Sequence, residues 1–281
     1  MSIEVLVVMK IKRFLSFPIF MVLCLMAFVY YTTVFIFIED WLGLKSSGGV
    51  LNMLIFNFLA FMSLFSFGAC VLIDPGNVPS SFVPDVEDDG GSDQRSRNSG
   101  AQSRYCDKCS TYKPPRAHHC RVCGRCVLRM DHHCLWVNNC IGYSNYKPFV
   151  VLITYAAVGC IYSFVMIMSG AIQKDWEFGS LKMLYISCGT IIGSLCLILG
   201  TLLGWHIYLL GHNMTTIEYH EGIRAQWLAR KSGKIYHHRY NVGFYRNIAL
   251  ILGPNTLKWF CPTSISHLKD GISFPAVRDG S

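Results

Sequence analysis

The sequence predicts an α-helical polytopic membrane protein, four transmembrane helices with a cysteine-rich segment on the cytoplasmic side between helices 2 and 3. Three observations carry this. Hydrophobic residues make up 52% of the 281, and a mean hydropathy of +0.35 is too apolar for a soluble domain of that length. Four runs, at 14–38, 50–73, 149–172 and 184–210, are long enough to cross a bilayer, which takes about 20 apolar residues, and none holds Asp or Glu. The basic residues are also segregated. Lys10, Lys12 and Arg13 precede the first run, ten lie within 74–148 and nine follow 211, whereas the other two loops hold only Lys45, and Lys174 with Lys182. Positive charge stays on the cytoplasmic side, so both termini and the central segment are expected there.

Each element follows in order. The first run begins like a secretory signal, behind the cytoplasmic N-terminus 1–13, but about 25 apolar residues exceed the roughly 7 to 15 of a signal core. No small-residue cleavage site comes before Glu39 and Asp40, so the run reads as a span. Asp74-Pro75-Gly76 stops the second run, since proline ends a helix and glycine permits a sharp turn. Residues 79–103 are rich in Ser, Gly and Asp without apolar periodicity and read as a flexible linker to the cysteine-rich segment 104–148. No repeat of 20 to 50 residues is present. After the fourth run, Thr215-x-x-Glu218 has the form of a helix capping box. Ile217, Ile223, Trp227 and Leu228 then mix with charged residues up to Lys231, an amphipathic helix in the cytoplasmic region 211–281. With basic residues beside spans, the net charge of +8 points to anionic lipid rather than nucleic acid. Gly159, Gly189, Gly193, Gly200 and Gly204 read either as helix packing or as room for a ligand.

Seven of the thirteen cysteines and four histidines fall within the 35 residues from Cys106 to Cys140. Cytosolic thiols are kept reduced, so this clustering signals metal binding rather than disulfides. Cys24, Cys70, Cys160, Cys188 and Cys196 lie in spans and read as small buried hydrophobes. Cys261 in the tail is a core residue or an acylation site. A Cys-x2-Cys turn presents two thiolates to one zinc, and two such turns imply two metals. The most economical arrangement interleaves the ligands: Cys106, Cys109, His119 and Cys126 on one zinc, Cys120, Cys123, His133 and Cys140 on the other. Both would be closed Cys3His centres of the structural kind.

Cys134 is left over, with Asp131 and His132 just before it. A free thiol is mostly protonated in the cytosol, and a neighbouring base turns it into a nucleophile. His132 can take that proton if Asp131 fixes its tautomer. The competing reading makes Cys134 or His132 a metal ligand and the segment a scaffold, a zinc-bearing membrane adaptor without catalysis. Arg116, Arg121, Arg125 and Arg129 either meet phosphates of a substrate or are solvated surface.

The stretch Cys106-Asp-Lys-Cys109-Ser-Thr-Tyr-Lys-Pro-Pro-Arg116-Ala-His118-His119-Cys120, continuing through Asp131-His132-His133-Cys134-Leu135-Trp136 to Cys140-Ile-Gly142 and Asn145-x3-Phe149, resembles the DHHC protein S-acyltransferases, the palmitoyltransferases, and most of all plant members. Asp74-Pro75-Gly76, Thr215-Thr216-Ile217-Glu218 and the four-span layout fit as well. The resemblance implies transfer of a long-chain acyl group, palmitoyl above all, from acyl-CoA to Cys134 and then to cysteines of membrane-associated substrate proteins. It implies His132 as base, Asp131 as its orienting acid and His133 as a ligand of one of two structural zincs. It also implies Thr216 near Asp131, Asn247 as a packing and hydrogen-bonding residue, and a Golgi, vesicle or plasma-membrane address. Many members have proline where this chain has Leu135, a departure that bears on local backbone rigidity and on rate.

Overall fold

The computed structural model describes residues 16–84, 104–174 and 179–277. The N-terminal segment before the first span and the linker beyond residue 84 lie outside the described residues. Four long apolar helices dominate: α1 (Phe17–Leu42), α2 (Ser47–Leu72), α3 (Tyr146–Ile172) and α4 (Ser180–Gly211). The shortest have 26 residues, about 39 Å at 1.5 Å per residue, against a hydrocarbon core about 30 Å thick. Each therefore reaches through the apolar layer into the interface, and the chain is a helical polytopic membrane protein. α3 lies between α2 and α4.

The helices overrun the apolar windows for local reasons. α1 continues through Glu39 and Asp40 because the Asp40 carboxylate is paired with Lys174 and accepts from the Tyr185 hydroxyl, which ties α1 to α4 and to the end of α3. Gly43, at φ 72°, then ends it. Thr32–Ile38 within α1 winds as a π-helix. The Thr32 and Thr33 hydroxyls donate back to the carbonyls of Phe28 and Val29 at 2.8 and 2.6 Å, competing with the backbone ladder and loosening it.

Gly193 meets Phe164 and Gly189 meets Ile167, so these glycines seat α4 on α3, while Gly159 faces Leu59 of α2. Gly200 and Gly204 face open space. Cys70, Cys160 and Cys188 are buried and Cys196 half-buried, but Cys24 is exposed. α1 buries little of its surface against the other helices, so the expectation of a buried Cys24 is corrected to an outward-facing one.

Between α2 and α3 stand three antiparallel hairpins: β1 (Arg104–Cys106) with β2 (Thr111–Lys113), β3 (His118–Cys120) with β4 (Arg125–Val127), and β5 (His132–Cys134) with β6 (Asn139–Ile141). They are fixed to the bundle by the segment after α2. Leu128 donates to the Gly76 carbonyl at 3.0 Å and Ser144 to that of Pro75 at 3.1 Å, and Asp74 pairs with Arg125 at 2.8 Å. Gly76 has φ +111° with the Leu128 Cβ 3.3 Å from where its own would stand, so both conformation and space require glycine. The Asn139 amide donates to the carbonyls of Cys70 and Ile73, each at 3.0 Å, satisfying groups that the end of α2 leaves unpaired.

Two short helices complete the chain, α5 (Thr216–Lys231) and α6 (Phe244–Leu252). Asn247 is fully buried; it accepts from Val242 and donates to the Gly211 carbonyl at 2.7 Å, tying α6 to the end of α4. Lys147, 2% exposed, donates to the carbonyls of Leu252, Lys258 and Ser264 at 2.6 to 2.9 Å. The buried ammonium thereby fastens the tail to the start of α3.

Candidate active site and metal centres

The hairpins repeat a single plan. Cys106, Cys120 and Cys134 are each fourteen residues apart and each ends the first strand of its hairpin. Four residues later stands a residue of positive φ, Ser110, Gly124 or Asn138. Each metal centre takes the Cys-x2-Cys turn of one hairpin and a directly opposed pair from the next: His119 faces Cys126 across β3 and β4, and His133 faces Cys140 across β5 and β6. The period of fourteen is shorter than the 20 to 50 residues of repeat architectures, although the cysteine spacing itself displays it.

The first cluster is Cys106, Cys109, His119 and Cys126, the second Cys120, Cys123, His133 and Cys140, with ligand atoms within 4.8 Å of one another. The His119 Nδ1 lies 3.2 Å from the Cys109 Sγ and 3.6 Å from the Cys106 Sγ. The His133 Nδ1 lies 3.5 and 3.6 Å from Cys123 and Cys140, whose sulfurs are 3.4 Å apart. A tetrahedron with bonds of about 2.3 Å has edges of about 3.8 Å, so the donors fit zinc in number, type and spacing. With four protein donors each, both centres would be closed and would stabilise the fold rather than bind substrate.

The third hairpin has no fourth hairpin after it, and Val137 stands where Cys109 and Cys123 stand in the others. Its thiol belongs to neither cluster. Cys134 keeps the same turn: Asn138 donates to the Leu135 carbonyl at 3.1 Å, so the turn closes without proline. Leu135 and Trp136 are exposed beside it. Cys134 is 7% exposed and packs with Ile19 of α1, Phe67 and Cys70 of α2, and Phe149 and Val150 of α3. The thiol thus sits at the base of the membrane-spanning core.

His132 joins Cys134 to Asp131. Its Nδ1 lies 2.7 Å from the Asp131 Oδ2, and the imidazole stands close enough to the Cys134 thiol for each to shift the other's titration. Asp131 is fully buried and accepts from the Thr216 backbone N–H at 2.9 Å and the Thr216 hydroxyl at 3.0 Å. The carboxylate therefore rests on the N-terminus of α5, whose unpaired N–H groups and dipole favour negative charge. Burial pushes the Asp131 pKa up, but the His132 hydrogen bond and charge and the Thr216 N–H outweigh it and hold it low. Burial disfavours imidazolium at His132, yet the bonds and charges of Asp131 and Cys134 raise it to about 9. The Cys134 thiol is raised by burial and lowered further by His132 and the turn N–H groups, to a net decrease.

The N-terminus of α5 is held in turn. Thr215 and Glu218 form the full capping box, and Glu218 pairs with Arg116 through two bonds of 2.6 and 2.7 Å. Arg116 is 6% exposed and also donates to the Asn213 carbonyl, and Arg129, 3% exposed, lies over the Tyr146 ring and contacts Asn213. The expectation that these two arginines meet phosphates is corrected: both are interior cations with their guanidinium groups engaged. Arg125 is tied to Asp74, and Arg121 is exposed. Nothing in the local sequence around Arg116 announces this clamp, since its partner is 102 residues away. A groove of about 480 Å³ between α3 and α4, lined by Phe164, Ile167, Tyr185 and Lys182, lies far along α3 from Cys134 and takes no part in this site.

Residues 99–223 match the family model of the DHHC palmitoyltransferases. The chain is 55% identical to probable protein S-acyltransferase 15 of Arabidopsis thaliana over 257 residues, 90% of this chain and 100% of that protein. It is 48% identical to probable protein S-acyltransferase 16 of the same plant, over 94% of both. Palmitoyltransferase ZDHHC15 of Rattus norvegicus is 37% identical over 188 residues, 64% of this chain and 52% of the relative. A helical membrane bundle carrying such a cysteine-rich module defines a membrane-embedded acyltransferase. The chain belongs to the DHHC palmitoyltransferase family and is a protein S-acyltransferase of the plant type.

Proposed function

We propose that Cys134 carries the acyl group as a thioester, with His132 as its base, Asp131 orienting His132 and Thr216 holding Asp131. The observation that carries this reading is the third hairpin, where Cys134 repeats the position of a metal-ligating cysteine without a metal set and stands beside His132, itself bonded to Asp131. In the first half-reaction the Cys134 thiolate attacks the carbonyl carbon of a long-chain acyl-CoA thioester, the carbon–sulfur bond to CoA breaks, and His132 supplies the proton to the departing thiolate. In the second, a substrate cysteine gives its proton to His132, its sulfur takes the acyl carbon, and Cys134 leaves as thiolate. The zincs hold the hairpins that present Cys134 and His132 and touch neither step.

The membrane location suits this cosubstrate. A 16-carbon chain gains on the order of 10 kcal/mol by leaving water, at about 0.8 kcal/mol per methylene, and Cys134 belongs to an apolar cluster that includes Ile19, Phe67 and Phe149 of the spans. Arg121, which is exposed, remains as a cation for the CoA phosphates, whereas Arg125 is taken up by Asp74. The acceptors are cysteines of membrane-associated proteins on the cytoplasmic side, the side on which both termini lie, at Golgi, vesicle or plasma membrane.

Intact mass of the detergent-purified protein after incubation with palmitoyl-CoA tests the reading. A hydroxylamine-labile palmitoyl adduct is expected on the wild type and absent from Cys134→Ser, with two zincs bound in both. No adduct on folded, zinc-loaded wild type would overturn it in favour of a non-catalytic adaptor.

The pH dependence checks the base. With His132 in place the thiol ionises below its ordinary range, so acylation is expected to hold up to lower pH than in a variant without that imidazole and to fall in acid, where the thiolate is protonated. In His132→Ala the residual rate should climb about tenfold per pH unit up to the ordinary thiol value of about 8.5. A flat profile in that variant would remove His132 from the proposed role.

A further inference from the structure

His206 of α4 is a buried titratable side chain outside the steps above. It is 1% exposed, and its Nδ1 lies 3.0 Å from the hydroxyl of Tyr146, itself 1% exposed at the start of α3. The His206 ring meets Phe149 edge-on at 5.0 Å, Phe149 meets His132 edge-on at 5.4 Å, and His206 and His132 are 6.3 Å apart. Arg129 lies 4.9 Å from the centre of the Tyr146 ring. Rings from β5, α3 and α4 therefore pack into one cluster around the imidazole that contacts Cys134.

Packing alone does not require a histidine here, since a phenylalanine would fill the space without burying ring nitrogens. A buried polar group costs stability unless it is hydrogen-bonded, and Tyr146 supplies that bond. Such a pair also fixes orientation, because the bond exists at only one ring angle. His132 has need of that. Its bond to Asp131 fixes Nδ1, and the rings beside it limit how far the rest of the imidazole can tilt.

We propose that His206 and Tyr146 are positioning residues for acyl transfer: their hydrogen bond locks the His206 ring, which with Phe149 holds the His132 imidazole aimed at the Cys134 thiol. This rests on the reading that His132 serves Cys134. Misplacing a general base by a fraction of an ångström lowers the rate of the chemical step and leaves substrate binding intact.

The test is single-turnover acylation of the full-length protein by palmitoyl-CoA, followed by intact mass over a range of cosubstrate concentrations. Tyr146→Phe and His206→Phe are each expected to lower the maximal rate roughly tenfold, with the half-saturating palmitoyl-CoA concentration and the two zincs unchanged. The double variant should be no slower than either single one, since both remove the same bond. His206→Asn keeps an acceptor for Tyr146 but removes the ring that packs on Phe149, so it should be slowed at least as much as His206→Phe. A wild-type rate in Tyr146→Phe, a wild-type rate in His206→Asn, or a change confined to the half-saturating concentration would each overturn the inference. His132→Ala, measured alongside, separates the two claims. A fast His132→Ala removes the reading beneath, whereas a slow His132→Ala beside a fast Tyr146→Phe removes this inference alone.

Discussion

His133→Ala is expected to empty the second metal centre and unfold the cysteine-rich module, whereas His132→Ala leaves both centres filled and the fold intact. The two histidines are neighbours on β5, and a strand turns adjacent side chains to opposite faces. His133 Nδ1 points at the sulfurs of Cys120, Cys123 and Cys140, all within 3.7 Å. His132 Nδ1 points at Asp131. The hairpins have three-residue strands, too short to be stable alone, and a structural zinc contributes on the order of 10 kcal/mol or more to folding. Metal content per chain and the melting midpoint give the readout, and equal zinc loss in the two variants would end this division of labour.

Arg116→Met should cost about 3 to 5 kcal/mol and detach the N-terminus of α5 from the module, because it strands the buried Glu218 carboxylate. In the wild type, burial pushes the Glu218 pKa up, but Arg116 holds it below the ordinary carboxylate range. The sign is that of a depressed acid: the pair stabilises the fold at neutral pH, and that contribution is lost as pH falls through the lowered pKa. Without Arg116 the carboxyl loses its main charge partner while its burial remains, so its pKa rises. Acylation should fall too, since α5 carries the Thr216 groups that hold Asp131. Arg116→Met combined with Glu218→Gln removes both charges and keeps an acceptor for the cap, so it should regain much of the loss in chemical denaturation. A single Arg116→Met variant as stable as the wild type would show that the pair contributes nothing.

The spans were legible because transfer from water to lipid adds up residue by residue along a local window. Their ends were not. α1 runs past Ile38 through Glu39 and Asp40 because Lys174 and Tyr185, far along the chain, satisfy the acid. The metal sets were legible for a related reason: the Cys-x2-Cys turns and the short strands between them leave few ways to bring four donors together, and the groups that spacing suggests are those that meet. Cys134 stood out by count, since eight donors fill two centres and leave one thiol.

The surroundings of that thiol belong to the tertiary structure. Asp131 meets Thr216 across 85 residues, Arg116 meets Glu218 across 102, and Tyr146 meets His206 across 60. Arg116 and Arg129 look in sequence like cations free for phosphate and are interior, and Cys24 looks like core and faces out. The amino-acid sequence by itself determined which segments cross the membrane, which residues group around metal and which thiol is left over, because those follow from composition and short-range spacing. Only the return of α4 and α5 over the hairpins decided what holds Asp131 and what flanks His132, because burial and partner choice depend on residues that the chain brings back from far away.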